Sequence, residues 1–160
     1  VLTTVKNEEK SDFCYSLGAD EVVQYSKQDF YKIFKSNKEG QDIDLILDMI
    51  GGDYFEKNID LLNQEGRLIN IAFLKGNSVK LDLSKLMMKR INLTGSTLRP
   101  RTTEFKSKIA EELRENVWPL LNTQKIRVHV DSIFPLEHFK DAHIRMESGN
   151  HLGKIILSLD

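Results

Sequence analysis

The run Leu45-Ile46-Leu47-Asp48-Met49-Ile50, ended by Gly51-Gly52, constrains this chain more than any other stretch. It is apolar at nearly every position instead of at alternate ones, which suits a central parallel strand covered on both faces. Parallel strands need crossover connections, and the flanking sequence supplies them. Val1 to Val5 and Glu21 to Gln24 read as strands before the run, Arg67 to Phe73 and Ile91 to Thr94 as strands after it. Helical patterns lie between. The first runs from Glu8 to Leu17, with Phe13, Cys14 and Leu17 on one face, Asn7 as N-cap and Gly18 as C-cap. Phe30, Ile33 and Phe34 mark a second helix, and residues 36–41 a charged surface turn. A third carries Phe55, Ile59 and Leu62 and ends near Gly66; a short one passes through Leu83, Leu86 and Met87, with Met87-Met88 read as core. Strand and helix alternating over short connections predict an α/β fold with a parallel sheet.

After Pro100 the rhythm changes. Phe105, Ile109, Leu113 and Val117 mark one long helix that Pro119 ends or kinks. Ile126 to Ile133 alternates, with Ile126, Val128 and Val130 predicted inward and Arg127, His129 and Asp131 outward. A helix from Leu136 to about Glu147 and a strand from Gly153 to Leu157 follow.

None of the nine glycines forms a G-x-G-x-x-G turn, the element that seats a pyrophosphate on a helix N-terminus. The chain therefore reads as a doubly wound sheet that opens in its second strand, the carboxyl half of a longer enzyme. In the order 3-2-1-4-5-6 the first strand lies in the middle, so its absence leaves two unpaired edges facing each other. The expected outcomes are an incomplete folding unit, direct pairing of the second and fourth strands, or a gap filled by another chain.

Composition removes several function classes. Lys and Arg total 23 against 24 for Asp and Glu, which gives no basic excess for nucleic acid or an acidic membrane. No apolar run approaches the roughly 20 residues of a membrane span, and the expected compartment is the cytoplasm. Cys14 is the only cysteine, so a zinc site of several thiolates is excluded. His129, His138, His143 and His151 have no metal-ligand spacing.

Chemistry is expected at the strand ends. An NAD-selective site has an acid after its second strand to bind the ribose diol; here Val5-Lys6-Asn7 stands in that place, followed by Lys10. A cation in the first helical turn opposes the macrodipole unless an anion docks there. The 2′-phosphate of NADP is one such anion; neutralisation of Lys10 by Glu8 and Glu9 is the plainer reading. Asp48 interrupts an apolar strand and needs hydrogen-bond partners. Gly51-Gly52 allow close approach of a neighbouring loop or of a nicotinamide ribose. By the switch-point rule, ligands sit beyond the strand ends, at Ile50-Gly51, Ala72-Phe73-Leu74 and Ser96-Thr97-Leu98.

Together the segments Leu17-Gly18-Ala19-Asp20 with Tyr25, Leu47 to Gly52, Gly66-Arg67-Leu68, Gly95 to Arg99, and Met146-Glu147 to Gly153-Lys154-Ile155 resemble the zinc-free quinone oxidoreductases of the medium-chain dehydrogenase/reductase superfamily. The resemblance implies a Rossmann-like cofactor domain over residues 1–98. Residues 99–160 would be a return segment packing with an upstream catalytic domain. It places Lys10 and Tyr25 at the NADP 2′-phosphate, and Ile50, Phe73, Leu74, Ser96 and Leu98 along the nicotinamide end. His151 stands where similar proteins often carry a cofactor-contacting Asn, and Lys6-Asn7 where a Gly-Ser pair is common. The implied activity is hydride transfer from NADPH to a quinone or activated enone without metal, by a homodimer formed through the edge strand at Ile91 to Thr94. The residues touching the quinone would lie upstream, so none here is assigned to catalysis. The competing expectations are a non-catalytic Rossmann-like association module and a nucleotide-binding domain of another enzyme class, such as a methyltransferase. The missing acid after the first strand argues against the last of these.

Overall fold

A computed structural model describes residues 1–36 and 43–159, so most of the turn expected over 36–41 lies outside the described residues. The chain forms two compact units, Val1–Pro100 and Arg101–Asp160.

In the first unit, β1 (Leu2–Val5) leads into α1 (Glu8–Ser16) and β2 (Glu21–Gln24), and β1 and β2 pair in parallel. Asn7 caps α1 as expected, accepting the Lys10 amide at 3.1 Å. The face of α1 expected to be apolar is only partly covered. Leu17 is exposed, Cys14 half-buried, and Ser11 is the residue that α1 buries.

After α2 (Phe30–Ser36) comes β3 (Ile43–Asp48), then α3 (Tyr54–Leu61), β4 (Leu62–Asn70), α4 (Leu83–Lys89) and β5 (Asn92–Gly95). β3, β4 and β5 form a second parallel sheet in that order. Leu62 belongs to β4 and not to α3; its backbone turns extended and its side chain is fully buried with Ile59 and Leu68. Burying such a side chain contributes about 1.5–3 kcal/mol, which outweighs a further turn of helix. Phe55, Ile59, Leu62, Leu68 and Ile91 make the core between α3, α4 and the sheet, joined by Ile46 and Leu93.

Two expectations fail here. β3 is not a central strand covered on both faces. It pairs only with β4 among the described strands, and Leu45 and Leu47 are 52% and 59% exposed. The cause is the break in the sheet: among the described residues no hydrogen-bonded ladder joins β1-β2 to β3-β4-β5. Met87 and Met88 are not core either, at 71% and 69% exposed. α4 turns Leu86 toward the core, and the next two positions rotate away by about 100° each.

Helices bridge the break. Val23, Phe30 and Phe34 pack with Leu2 on one side and Ile43, Tyr54 and Leu61 on the other. The Phe30 and Tyr54 rings stack with centroids 4.7 Å apart. Asp60 at the end of α3 takes a hydrogen bond from Tyr31 and a 2.6 Å ion pair from Lys35, both on α2.

In the second unit, α5 (Thr103–Asn116) ends before α6 (Trp118–Asn122), with Pro119 in the first turn of α6. β6 (Val130–Pro135) pairs in parallel with β7 (Lys154–Ser158); a 3₁₀ turn at Leu136–His138 and α7 (Phe139–Glu147) make the crossover. The strand expected from Ile126 begins only at Val130, and the residues expected inward, Ile126, Val128 and Val130, are exposed. Asp131, expected outward, has a side chain only 6% exposed and receives a two-pronged bond from Arg145 at 2.9 and 2.7 Å. The ladder shifts register between Val130 and Ser132, which turns the alternation over at this point.

Asp131 also accepts the Leu152 amide at 2.8 Å and so fastens the turn before β7. Arg145 and this amide hold its carboxyl well below the ordinary value of 3.8. A carboxyl depressed on folding contributes stability that is whole above its unfolded pKa and is lost as pH falls through its folded one. Acidification below about pH 4 is therefore expected to lower the unfolding midpoint of the second unit. The sole tryptophan, Trp118, reports it by fluorescence. Asp131→Asn should flatten that acid dependence, and an unchanged slope would contradict the assignment.

Candidate functional site

The strand ends of the first unit carry two hollows. The first, of about 370 Å³, is lined by Tyr25 and Lys27 just past β2, by Asp29 before α2, by Tyr54 and Lys57 on α3, and by Lys75 beyond β4. Because residues following β2, β3 and β4 meet there, the two sheets present their carboxyl ends to the same side. The second, of about 480 Å³, lies beyond β4 and β5, between Asn70 and Phe73 on one strand end and Ser96 and Leu98 on the other.

Asp48 and the glycines after it form the floor. The Asp48 carboxylate is buried and accepts the Ile50 amide at 2.7 Å, the Gly51 amide at 3.1 Å and the Asn70 side-chain amide at 3.2 Å. It is a structural acid, tying the end of β3 to the end of β4. Gly51 and Gly52 have φ of +64° and +52°, and a Cβ on either would come within 2.6 Å of the Gly76 or Lys75 carbonyl. Of the two reasons for a glycine pair, close approach of a neighbouring loop is the one this backbone displays. That contact, with the Lys75 amide on the Ile50 carbonyl at 2.8 Å, positions the loop carrying Phe73, Leu74 and Lys75.

The sequence candidates are distributed unevenly over this geometry. Tyr25 lines the first hollow; Phe73, Ser96 and Leu98 line the second. Ile50 and Leu74 belong to the loops joined below them, Leu74 donating its amide to the Met49 carbonyl at 3.1 Å. Lys10 stands in the first turn of α1 and lines neither hollow. His151 belongs to the second unit, where its Nδ1 is buried with no hydrogen-bond partner among the described residues. Lys27, Lys57 and Lys75 were not singled out from the sequence. They come from three different connections, and only the fold brings them together.

The electrostatics of the first hollow are mixed. Lys57 pairs with Asp29 at 3.4 Å and Lys75 with Asp53 at 3.5 Å. Tyr31 and Lys57 hold the Asp29 carboxyl below its ordinary value against a burial effect that raises it. Burial pushes the Tyr54 hydroxyl up, helped by Asp53 and Tyr25.

Residues 17–157 match a protein family described as zinc-binding dehydrogenase. Among curated relatives, quinone oxidoreductase-like protein 2 of Bos taurus is 24% identical over 160 residues, covering 99% of this chain and 45% of the relative. The 2-haloacrylate reductase of a Burkholderia species is 27% identical, covering 98% of this chain and 47% of the relative. The native structure of mycobacterial Rv1454c complexed with NADPH superposes with a TM-score of 0.77 at 26% identity, covering 98% of this chain and 49% of that one. The chain thus spans about half the length of these two curated relatives. A zinc ion does not fit the described residues: no three of His, Cys, Asp or Glu converge on a common point among them. No helix among them is long and apolar enough to cross a membrane. Parallel α/β architecture, strand-end hollows and a match over nearly the whole length agree that this chain belongs to the zinc-binding dehydrogenase family, within the medium-chain dehydrogenases/reductases.

Proposed function

We propose that this chain supplies most of the cofactor-binding domain of an NADPH-dependent, zinc-independent oxidoreductase of the quinone reductase type. The observation that carries the reading is the pair of hollows along the strand ends, one aromatic and lined by charges of both signs, the other lined by Phe73, Ser96 and Leu98. A dinucleotide spans such a crevice, phosphorylated adenosine at one end and nicotinamide at the other. The NADPH bound by the mycobacterial relative supports the choice of cofactor.

Lys10 and Tyr25 are assigned to the 2′-phosphate. Ile50, Phe73, Leu74, Ser96 and Leu98 are assigned to the nicotinamide end, and His151, with its unsatisfied Nδ1, to a further cofactor contact. When bound, NADPH supplies the hydride that reduces a quinone or activated enone. The chain's own part is to orient the cofactor. Asp48 and the glycine pair fix the loop bearing Phe73, whose ring gives the second hollow an apolar wall that excludes water. No residue here is assigned to catalysis. The same reading gives a cytoplasmic enzyme that dimerises through the open edge of β5.

Calorimetric titration tests it. NADPH at 100 times its dissociation constant is expected to raise stability by about 2.7 kcal/mol. Lys10→Ala should weaken NADPH about tenfold, roughly 1.4 kcal/mol, and leave NADH unchanged. Equal affinity for both cofactors in wild type and variant would remove Lys10 from the site. No thermal shift with either would favour an association module that has lost its cofactor.

A further inference from the structure

The two walls of the first hollow are joined by side chains. One wall, with Tyr25, Lys27 and Asp29, follows β2; the other, with Asp53, Tyr54 and Lys57, follows β3. The strands beneath these walls share no hydrogen-bonded ladder among the described residues. Each sheet therefore fixes its own wall, and the spacing between the walls is left to the packing of α2 against α3. That packing consists of the Phe30–Tyr54 stack and the contacts of Val23, Phe30 and Phe34 with Ile43 and Leu61.

Behind this packing one carboxylate joins the two sides. Asp60, at the end of α3, accepts hydrogen bonds from Tyr31 and Lys35 of α2, the latter at 2.6 Å. Lys85 of α4 stands 3.4 Å from its other oxygen. Lys35 also donates to the Tyr31 hydroxyl at 2.5 Å, so ammonium, phenol and carboxylate close a ring across the break. Charge-assisted bonds of this kind are stronger than the open pair at the hollow's rim, where Lys57 and Asp29 stand 3.4 Å apart. Tyr31, Lys35 and Asp60 line neither hollow.

We propose that β1 and β2, with α1 and α2, open from β3-β4-β5 as a body of their own, and that Asp60 is the latch that sets the width of the first hollow from behind. A body held by side chains alone opens at a lower free energy than the ladder it rests on. A ligand that touches both walls binds the closed arrangement better than the open one, and by linkage ligand and latch reinforce each other. Asp60 is thus a positioning residue, acting on the hollow through α2 and α3. The coupling to a ligand rests on the NADPH reading above; the separate opening does not.

The test is native-state hydrogen exchange of the full chain, comparing wild type, D60N, K35M and the double variant, each with and without NADPH. In wild type the amides of β1 and β2 are expected to exchange together, at least about tenfold faster than those of β4. D60N should speed β1 and β2 severalfold more and leave β4 within about twofold of wild type, which also shows that the variant folds. K35M should act in the same direction, and the double variant should add little to D60N, because both break one ring. Saturating NADPH should slow β1 and β2 more than β4. Equal exchange in β1, β2 and β4 of wild type, or a D60N variant that speeds all three alike, overturns the separate body. D60N with wild-type exchange overturns the latch. NADPH that binds without preferentially slowing β1 and β2 overturns the coupling. Failure of NADPH to bind overturns the cofactor reading, while the exchange rates without ligand still decide the latch.

Discussion

Asp48→Ala is expected to destabilise the first unit by about 3 kcal/mol, because it leaves donors buried without an acceptor. Asp48 is 4% exposed and serves the amides of Ile50 and Gly51 and the side chain of Asn70. Water cannot replace the carboxylate unless the turn opens, so the desolvation cost of those groups falls on the folded state. The damage should spread. The turn presses Gly51 and Gly52 against the Lys75 and Gly76 carbonyls, and the loop so held contributes Phe73 to one hollow and Lys75 to the other. Nucleotide affinity should therefore drop along with stability. Asp48→Asn keeps one acceptor oxygen for the backbone amides, and the Asn70 amide can flip to meet its new donor, so a smaller loss is expected. Urea unfolding followed by far-ultraviolet circular dichroism measures both. An alanine variant within about 0.5 kcal/mol of wild type would show that Asp48 does not hold the turn.

Local chemistry was legible in the sequence and long-range register was not. Asn7 as a cap, Asp48 as a structural acid and the parallel strand–helix alternation each depend on neighbours a few residues away. That the first two strands would not join the later three was also readable, since two sheets with no ladder between them are what the expected strand order predicts. What was misread follows from the same break. Leu45 and Leu47 carry the composition of a strand buried on both sides, yet stand at the edge of their sheet. Asp131 was placed outward because alternation was counted across a register shift that the sequence does not announce. Its partner Arg145 lies on another element. The lysines of the first hollow show the same limit. Lys27, Lys57 and Lys75 each look like solvated surface charge, and become a group only when three crossover connections end on one side of the fold.

Lys89→Met is the second substitution expected to act strongly, at about 2–3 kcal/mol, the range for hydrogen bonds to a charged donor. The final carbonyls of any α-helix lack intrahelical partners. In α3 they are met by the Lys89 ammonium, which donates to Asp60 at 2.7 Å and Ile59 at 3.3 Å, and to Leu62 at the start of β4 at 2.7 Å. Burial pushes the Lys89 ammonium below its ordinary pKa, with Asp60 opposing. Methionine keeps the apolar stem and removes the donor, so the loss reports the carbonyl contacts and not packing. The effect should reach α2, because Asp60 is also where Lys35 and Tyr31 fasten the two sheets together. Lys35 and Tyr31 hold the Asp60 carboxyl well below 3.8, and Asp60 with Tyr31 raises Lys35 above 10.5. By linkage, the carboxyl's share is lost as pH falls below about 4, and the ammonium's as pH rises beyond about 10. The Lys89→Met loss should therefore be near constant from about pH 5 up to the pH at which the Lys89 ammonium, its pKa lowered by burial, begins to lose its proton. A variant whose urea midpoint matches wild type across that range would show that solvent satisfies the end of α3 without Lys89.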